Sequence, residues 1–258
     1  MRVAWLHVAP IKSLAIQERE RVHLRRHGVD DDRRFLVVDA DGRLVNGKRL
    51  ASLVTIRPEL DAGTRRLALR MPDGSCVEGT VELGEPVNVT IYHHTTAAHV
   101  VAGPWAETLS RAIGLPVRLA QVDRPGEGVD RARHRAGATL LSVESLREMA
   151  TIAGLIEPID PRRFRMLIGV EGGSAHQEDR WIGRSVRVGD AVIEPRGNVG
   201  RCVVTTRDPE TGTSDLDTLD ILARYRREVA TTEALPFGVW ARVEREGTVR
   251  VGDDVAVL

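Results

Sequence analysis

Hydrophobic and polar residues alternate in short stretches along most of this chain. Residues 2–8, 19–24, 33–39 and 43–49 carry period-two or β-branched patterns separated by turn-forming residues. Alternation sends successive side chains to opposite faces of a sheet, so each run predicts a strand with one buried face. Asp41-Gly42 predicts a hairpin turn. Pro72-Asp73-Gly74 predicts another, between Arg66–Met71 and Cys76–Glu82. The period lengthens to a helical one in three places. Pro104–Ile113 starts with a proline suited to an early helical position and stops at Gly114. Val143–Ala153 has Ser142 as its cap and Gly154 as its stop. Asp215–Val229 places acids first and Arg224, Arg226 and Arg227 late, which complements a helix dipole, with Leu216, Leu219, Leu222 and Ala223 on one face. The predicted class is mostly β (α+β): barrel-like sheets with a few peripheral helices.

The polar stretch Gln121–Arg135 breaks this pattern. It is rich in charge, Gly and Pro and has no apolar period. It predicts a boundary between an N-terminal β-barrel domain, 1–122, and a second β-barrel domain, 123–258. A loop of that length is also a common carrier of function. His134 and Arg135 close it, just before a predicted strand at Ala138–Leu141. Val186-Arg187-Val188-Gly189-Asp190 recurs as Val249-Arg250-Val251-Gly252-Asp253, and both copies read as strand, Gly-Asp turn, strand. Two copies are too few for a solenoid and predict two similar barrel hairpins.

Composition narrows the function classes. A chain of 258 residues has ample core for one large or two small domains. The formal net charge is zero, which predicts no general attraction to nucleic acid or to an anionic membrane. Aromatics make up 3%, too few for a base-stacking surface. No run of about 18 apolar residues occurs, so no membrane-spanning helix is expected. The N-terminus reads as a first strand, not a signal peptide. Two cysteines, Cys76 and Cys202, are too few for a disulfide scaffold and fit a reducing cytoplasm.

Candidate chemistry centres on Gly200–Gly212. Cys202 opens an apolar, β-branched run, Cys-Val-Val-Thr-Thr, that predicts a strand, and Asp208-Pro209-Glu210-Thr211-Gly212 closes it as a tight turn. Arg201 stands beside the cysteine, and a guanidinium favours the thiolate that binds metal or attacks an electrophile. A free cysteine is more often a small buried hydrophobe, and the local sequence leaves both readings open. Lys12 and Lys48 are the only lysines in an otherwise arginine-based chain. Asp30-Asp31-Asp32 lacks the alternate spacing of a calcium loop and reads as a surface turn. His93 and His94 are neighbours on a predicted strand and point to opposite faces, so a shared zinc site is not expected. There is no GxGxxG after a strand and no GxxxxGK[ST].

Taken together, Arg201-Cys202-x-x-Thr205-Thr206-x-Asp208-Pro209-x-Thr211-Gly212, Leu219 and Tyr225-Arg226 resemble the signature of the MOSC family. Pro10-Ile11-Lys12-Ser13 and Asp32–Asp39 are similar to elements of that family's N-terminal barrel. Arg163-Phe164-Arg165 resembles its Arg-Phe-Arg strand, and Glu178-Asp179-x-Trp181 the turn that follows. The nearest pattern is that of the molybdenum-dependent reductases of N-hydroxylated compounds, the amidoxime reducing components among them. The resemblance implies a molybdenum–molybdopterin cofactor with Cys202 as the one protein ligand to the metal. It implies cofactor contacts from Lys12, Ser13, Arg33, Arg165, Gly200 and Arg201, the lysine and arginines suiting the pterin phosphate. It implies a small N-oxygenated substrate.

Two positions depart from that pattern. Met166-Leu167 stands where the reductases commonly have Pro-Asn, and Gly200 where serine is frequent. Two cysteines cannot build a Cys-ligated iron–sulfur cluster, so electrons are expected from a separate donor protein. The alternative reading is a cofactor or sulfur carrier in which Cys202 holds a persulfide or the cofactor itself.

Overall fold

The computed structural model describes residues 1–258. In chain order the elements are β1 (Arg2–Val8), β2 (Gln17–Glu18), β3 (Arg21–Leu24), β4 (Phe35–Val38), β5 (Arg57–Asp61), β6 (Arg66–Arg70), β7 (Cys76–Thr80), β8 (Glu82–Ile91) and β9 (His94–Ala102). Then follow α1 (Trp105–Ile113), β10 (Arg118–Val122), β11 (Ala138–Ser142), α2 (Val143–Ile152) and β12 (Ile168–Glu171). The chain ends with β13 (Val186–Val188), β14 (Ala191–Gly200), α3 (Thr218–Tyr225), β15 (Pro236–Arg245), β16 (Gly247–Arg250) and β17 (Val255–Val257). The class is mostly β, as the alternation predicts.

An eight-stranded sheet, ordered β17-β13-β14-β15-β11-β12-β1-β2, curls into a half-barrel. It closes on a core that includes Val3, Leu6, Leu140, Ile168, Val239 and Val243. A second core lies between the β5-β6-β7 sheet and α1, where Trp105 packs with Leu53, Leu67 and Leu69 and donates Nε1 to Leu67 O at 3.2 Å. The β4-β10-β9-β8 sheet carries a smaller core around Leu36, Val89 and Ile91. Phe164 and Phe237, with ring centroids 4.7 Å apart, join α2 and α3 to the large sheet. The halves interleave: β1 pairs antiparallel with β12 in the large sheet, otherwise built mainly from the C-terminal half, and β3 pairs with β16 in a two-stranded sheet.

The helix caps follow the local signals. Pro104 and Gly114 (φ 70°) bound α1, and Ser142 Oγ accepts from Ser145 N at 3.1 Å to start α2. Elsewhere long-range contacts override local preference. Residues 43–49 pair only briefly with β4, at Leu44 and Val45, then turn away. The Cys202 run is not a strand: Cys202 is extended, but Val203–Thr206 form a 3-10 turn. There Thr205 Oγ1 and Thr206 Oγ1 donate back to the carbonyls of Cys202 and Val203. Arg163 and Phe164 likewise lie in a 3-10 turn, Pro161–Phe164, which ends at Arg165 in the left-handed region. The third helix is shorter than Asp215–Val229. Asp215 is held outside it by both guanidinium nitrogens of Arg163, each at 2.7 Å, and Asp217 is the cap. At the other end Arg226 is drawn to Pro236 O and the Asp179 carboxylate. Of the repeated pentapeptides only the first makes a hairpin, β13–β14; β16 and β17 pair with β3 and β13 instead of each other.

Candidate functional site

A cleft of about 680 Å³ opens where β1, β4, β8, β14 and β15 run out into loops, and Lys12, Ser13, Arg33, Arg165, Gly200, Arg201 and Cys202 all line it. Residues separated by as many as 190 positions in the chain thus meet in one place. Eight lysines and arginines line the cleft against three carboxylates, Asp32, Asp130 and Glu233. Backbone strain concentrates here too. Eight non-glycine residues have positive φ, and four of them, Ser13 (75°), Arg33 (52°), Tyr92 (52°) and Arg165 (55°), face this cleft. Such conformations persist only where the surroundings enforce them, and they gather at binding sites. A larger, more open groove of about 750 Å³ runs past Arg19, Asp31, Arg66 and Glu78. Within it Arg19 pairs with Asp31 at 2.7 Å and Arg66 with Glu78 at 2.5 Å, and no thiol lines it.

One corner of the cleft is built around Lys12. Its side chain is 6% exposed, and Nζ donates to Gly128 O at 2.9 Å and Asp130 Oδ1 at 2.5 Å. Burial lowers its proton affinity, Asp130 opposing and Arg33 reinforcing that shift. Arg33 is held by the Asp32 carboxylate and donates Nη2 to Arg165 O at 3.1 Å. Asp32 is fixed in turn by Ala9 N, at 2.9 Å. Arg165 differs from its neighbours: its Nη2 is buried with no partner. Burial, with Arg33 adding like-charge repulsion, lowers Arg165 to about 10. A buried guanidinium with a free donor is an anion site in want of an anion.

The opposite wall carries Cys202, which lies two residues past the end of β14 and is partly exposed. Its carbonyl accepts Thr205 N and Thr205 Oγ1, both at 3.0 Å. The preceding Arg201 is fully engaged in the protein. Nε donates to Phe237 O at 2.8 Å, Nη1 to Phe164 O at 3.0 Å, and Nη2 to Met166 Sδ at 3.0 Å and again to Phe237 O. Its guanidinium also stacks over Phe164, 5.4 Å from the ring centroid. Burial lowers it to about 9. Arg201 therefore splices the loop carrying Cys202 to two other segments, and its donors are spent on carbonyls. Gly200 is set by close approach: a Cβ there would lie 2.7 Å from Glu233 Oε2 and 3.0 Å from Ala234 O. A serine does not fit without moving that loop.

Leu167 is buried among core residues beneath the cleft, and its backbone N donates to Thr139 Oγ1 at 2.9 Å. Asp208 accepts Glu210 N and Thr211 N, each at 2.8 Å, which is the turn role the Asp-Pro-Glu-Thr-Gly sequence predicts. Asp30 and Asp31 each meet their own cation, Arg25 and Arg19. The sequence reading missed several cleft residues: Tyr92, Lys48, Asp130, Arg131 and Trp240. Lys48 Nζ sits over the Tyr92 ring at 4.6 Å, so both lysines of the chain reach this cleft. Their scarcity was the one signal that could have picked out Lys48. Arg131 pairs with Glu233 at 2.6 Å and lies over Trp240 at 5.7 Å.

The model of the MOSC N-terminal beta barrel domain matches residues 1–105, and that of the MOSC domain matches residues 130–256. Mitochondrial amidoxime-reducing component 1 of Mus musculus is 28% identical, over 99% of this chain and 82% of its own length. The Homo sapiens protein of the same name is 26% identical over the same shares. Molybdenum cofactor sulfurase of Drosophila mojavensis is 25% identical over 99% of this chain, which spans only 35% of that longer protein.

Proposed function

The chain belongs to the MOSC family, and we propose that it binds the molybdenum cofactor in this cleft and reduces N-hydroxylated or N-oxide substrates there. The observation that carries the reading is the pairing of a partly exposed thiol, Cys202, with an anion corner containing the unpartnered Arg165 Nη2 in the same cleft. The residues fit such a group at both ends. Lys12, Ser13, Arg33 and Arg165 suit a phosphate, and a soft thiolate suits molybdenum. The excess of cations around the cleft draws an anionic cofactor in and lowers the cost of holding it. Leu167 offers an apolar surface where a hydrogen-bonding residue is frequent in the reductases, so the grip on the cofactor falls more heavily on the charged corner.

When bound, the cofactor supplies two-electron removal of oxygen from an N–O bond, so that N–OH, two electrons and two protons give N–H and water. The protein contributes position. Arg201 fixes Cys202 by tying its loop to Phe164 O and Phe237 O, and the 3-10 turn after it clamps the Cys202 carbonyl. Arg33 and Arg165 would hold the phosphate end of the cofactor, leaving Cys202 to meet the metal. Electrons are supplied by a separate protein, since the sequence has neither an iron–sulfur cysteine set nor a Gly-rich dinucleotide loop. We place the protein in the cytoplasm.

Protein loaded with cofactor is expected to reduce an N-hydroxylated amidine with a low-potential artificial donor, and to fail with NADH or NADPH until a reductase is added. Turnover with NADPH alone contradicts the requirement for a partner. The similarity to the cofactor sulfurase favours a second reading, a cofactor or sulfur carrier acting through Cys202. Bound molybdenum without turnover from any donor selects that reading.

A further inference from the structure

Lys12 is already paired inside the protein. Both of its hydrogen bonds go to one polar segment, the long loop between β10 and β11, through Gly128 O at 2.9 Å and Asp130 Oδ1 at 2.5 Å. The Lys12 ammonium is almost wholly buried, whereas the Asp130 side chain is 63% exposed on its open side. We infer that Asp130 is an internal stand-in for the ligand's anion: it occupies the Lys12 corner of the cleft, and a phosphate must displace it to bind there. This inference rests on the anion-corner reading of the preceding section and adds the residue that competes with the ligand.

Three further observations support it. First, Asp130 is surrounded by more positive charge than it can neutralise. Although burial opposes ionisation, Lys12, Arg33 and Lys48 hold its carboxyl down at about 2, so it is an anion at any working pH. With Asp130 swung away, the remaining cleft carboxylates are Asp32, fixed by Ala9 N and Arg33, and Glu233, paired with Arg131, so Lys12, Lys48 and Arg165 are left without a carboxylate partner. A phosphate carries the charge and the acceptors to replace Asp130 and also reach the orphan Arg165 donor, which Asp130 leaves unmet. Second, the loop is able to move without cost to a core. From Asp123 to Arg135 its buried residues are Gly126 and Gly128 alone. Its polar anchors near Asp130 are few: Glu127 to Thr96 on one side and Arg131 to Glu233 on the other. Third, Gly128 is the pivot. A Cβ there would lie 1.9 Å from Arg33 O, so only glycine lets the loop lie against the cleft and deliver Asp130 to Lys12. Exposed ion pairs contribute little, but this one has a buried partner, so its exchange for a ligand sets how tightly the corner binds.

The test measures inorganic phosphate binding to the full-length, cofactor-free protein by calorimetry at low ionic strength, with amide hydrogen exchange over residues 124–136 as a second readout. Asp130→Asn is expected to bind phosphate about tenfold more tightly than the wild type, because the competing charge is gone while the hydrogen-bonding shape is kept. Lys12→Met should bind it about tenfold more weakly. Phosphate should speed exchange in the loop of the wild type, and displace the loop of Asp130→Asn at lower phosphate concentration because no carboxylate charge holds it to Lys12. Weaker binding by Asp130→Asn would show that Asp130 positions Lys12 instead of competing for it, and overturns the inference while leaving the anion corner intact. Equal binding by wild type and Lys12→Met, or no binding by any of the three proteins, overturns the anion corner itself and the inference with it.

Discussion

The two sides of the cleft use the same residue type in opposite ways. On the Cys202 wall, Arg201 spends its donors on Phe164 O, Phe237 O and Met166 Sδ. In the Lys12 corner, Arg165 keeps Nη2 buried and unpartnered. Both guanidiniums are lowered by burial, Arg201 to about 9 and Arg165 to about 10, so neither is a relaxed surface charge. The difference lies in what satisfies them. Arg201 is satisfied by the fold and makes it rigid; Arg165 is left for something the fold does not supply. Adjacency in sequence to the thiol therefore marks the structural arginine, and the arginine with a free donor ends the distant Pro161–Phe164 turn.

Substitution of each arginine separates the two roles most sharply. Arg201→Met leaves two buried carbonyls without a donor and is expected to cost about 3 kcal/mol of unfolding free energy. Arg165→Met removes a charge that nothing pairs and should change stability by less than about 1 kcal/mol while weakening phosphate binding. Chemical denaturation of both variants checks this, and equal losses would erase the distinction.

The floor beneath both walls responds to pH. His7 donates its backbone N to Leu167 O at 2.8 Å and is buried against Trp5, ring centroids 5.5 Å apart. Burial lowers its pKa from 6.5 to about 4, with Asp160 opposing and Arg162 assisting. His176 is lowered to about 4 as well, by burial first and Arg226 second. In the folded state these rings stay neutral, and in the unfolded chain they take up protons below 6.5. Stability is therefore intact above that pH and falls as pH drops from 6.5 towards 4. His7 alone contributes up to about 3 kcal/mol of that loss. His7→Phe should reduce the slope of stability against pH in this window by about one proton. An unchanged slope would mean that His7 is not held neutral.

Gly200 tests the Cys202 wall at its tightest point. Gly200→Ser introduces a Cβ 2.7 Å from Glu233 Oε2 and 3.0 Å from Ala234 O, and is expected to destabilise the protein by about 1–2 kcal/mol. Glu233→Ala in the same chain should recover part of that loss, because the nearest clash is with a side chain. No recovery would assign the strain to the Ala234 backbone.

Much of this could be read from the sequence where the cause is local. Strand alternation, the Ser142 cap, the Gly114 stop and the Asp208 turn all act within a few residues. Local signals misled where side-chain hydrogen bonds intervened. The β-branched run after Cys202 suits a strand, but its threonine hydroxyls bond back to nearby carbonyls and make a 3-10 turn. Asp215 suits a helix start, yet Arg163 takes its carboxylate. The motif residues of the site do converge in one cleft, but what distinguishes them there could not be read. Positive φ at Ser13, Arg33, Tyr92 and Arg165 is imposed by packing, as non-glycine residues do not prefer it. The Lys12–Asp130 pair spans 118 positions, and no local pattern announces it.

Cys202 is proposed as the protein's one ligand to molybdenum. Metal analysis of protein purified from a host that makes molybdopterin tests it most directly, comparing the wild type with Cys202→Ala and Cys76→Ala. Cys76 is exposed on β7 and does not line the cleft, so its variant is an internal control. About one molybdenum per chain is expected in the wild type and in Cys76→Ala, with most of it lost in a folded Cys202→Ala. Full molybdenum content in folded Cys202→Ala would contradict it.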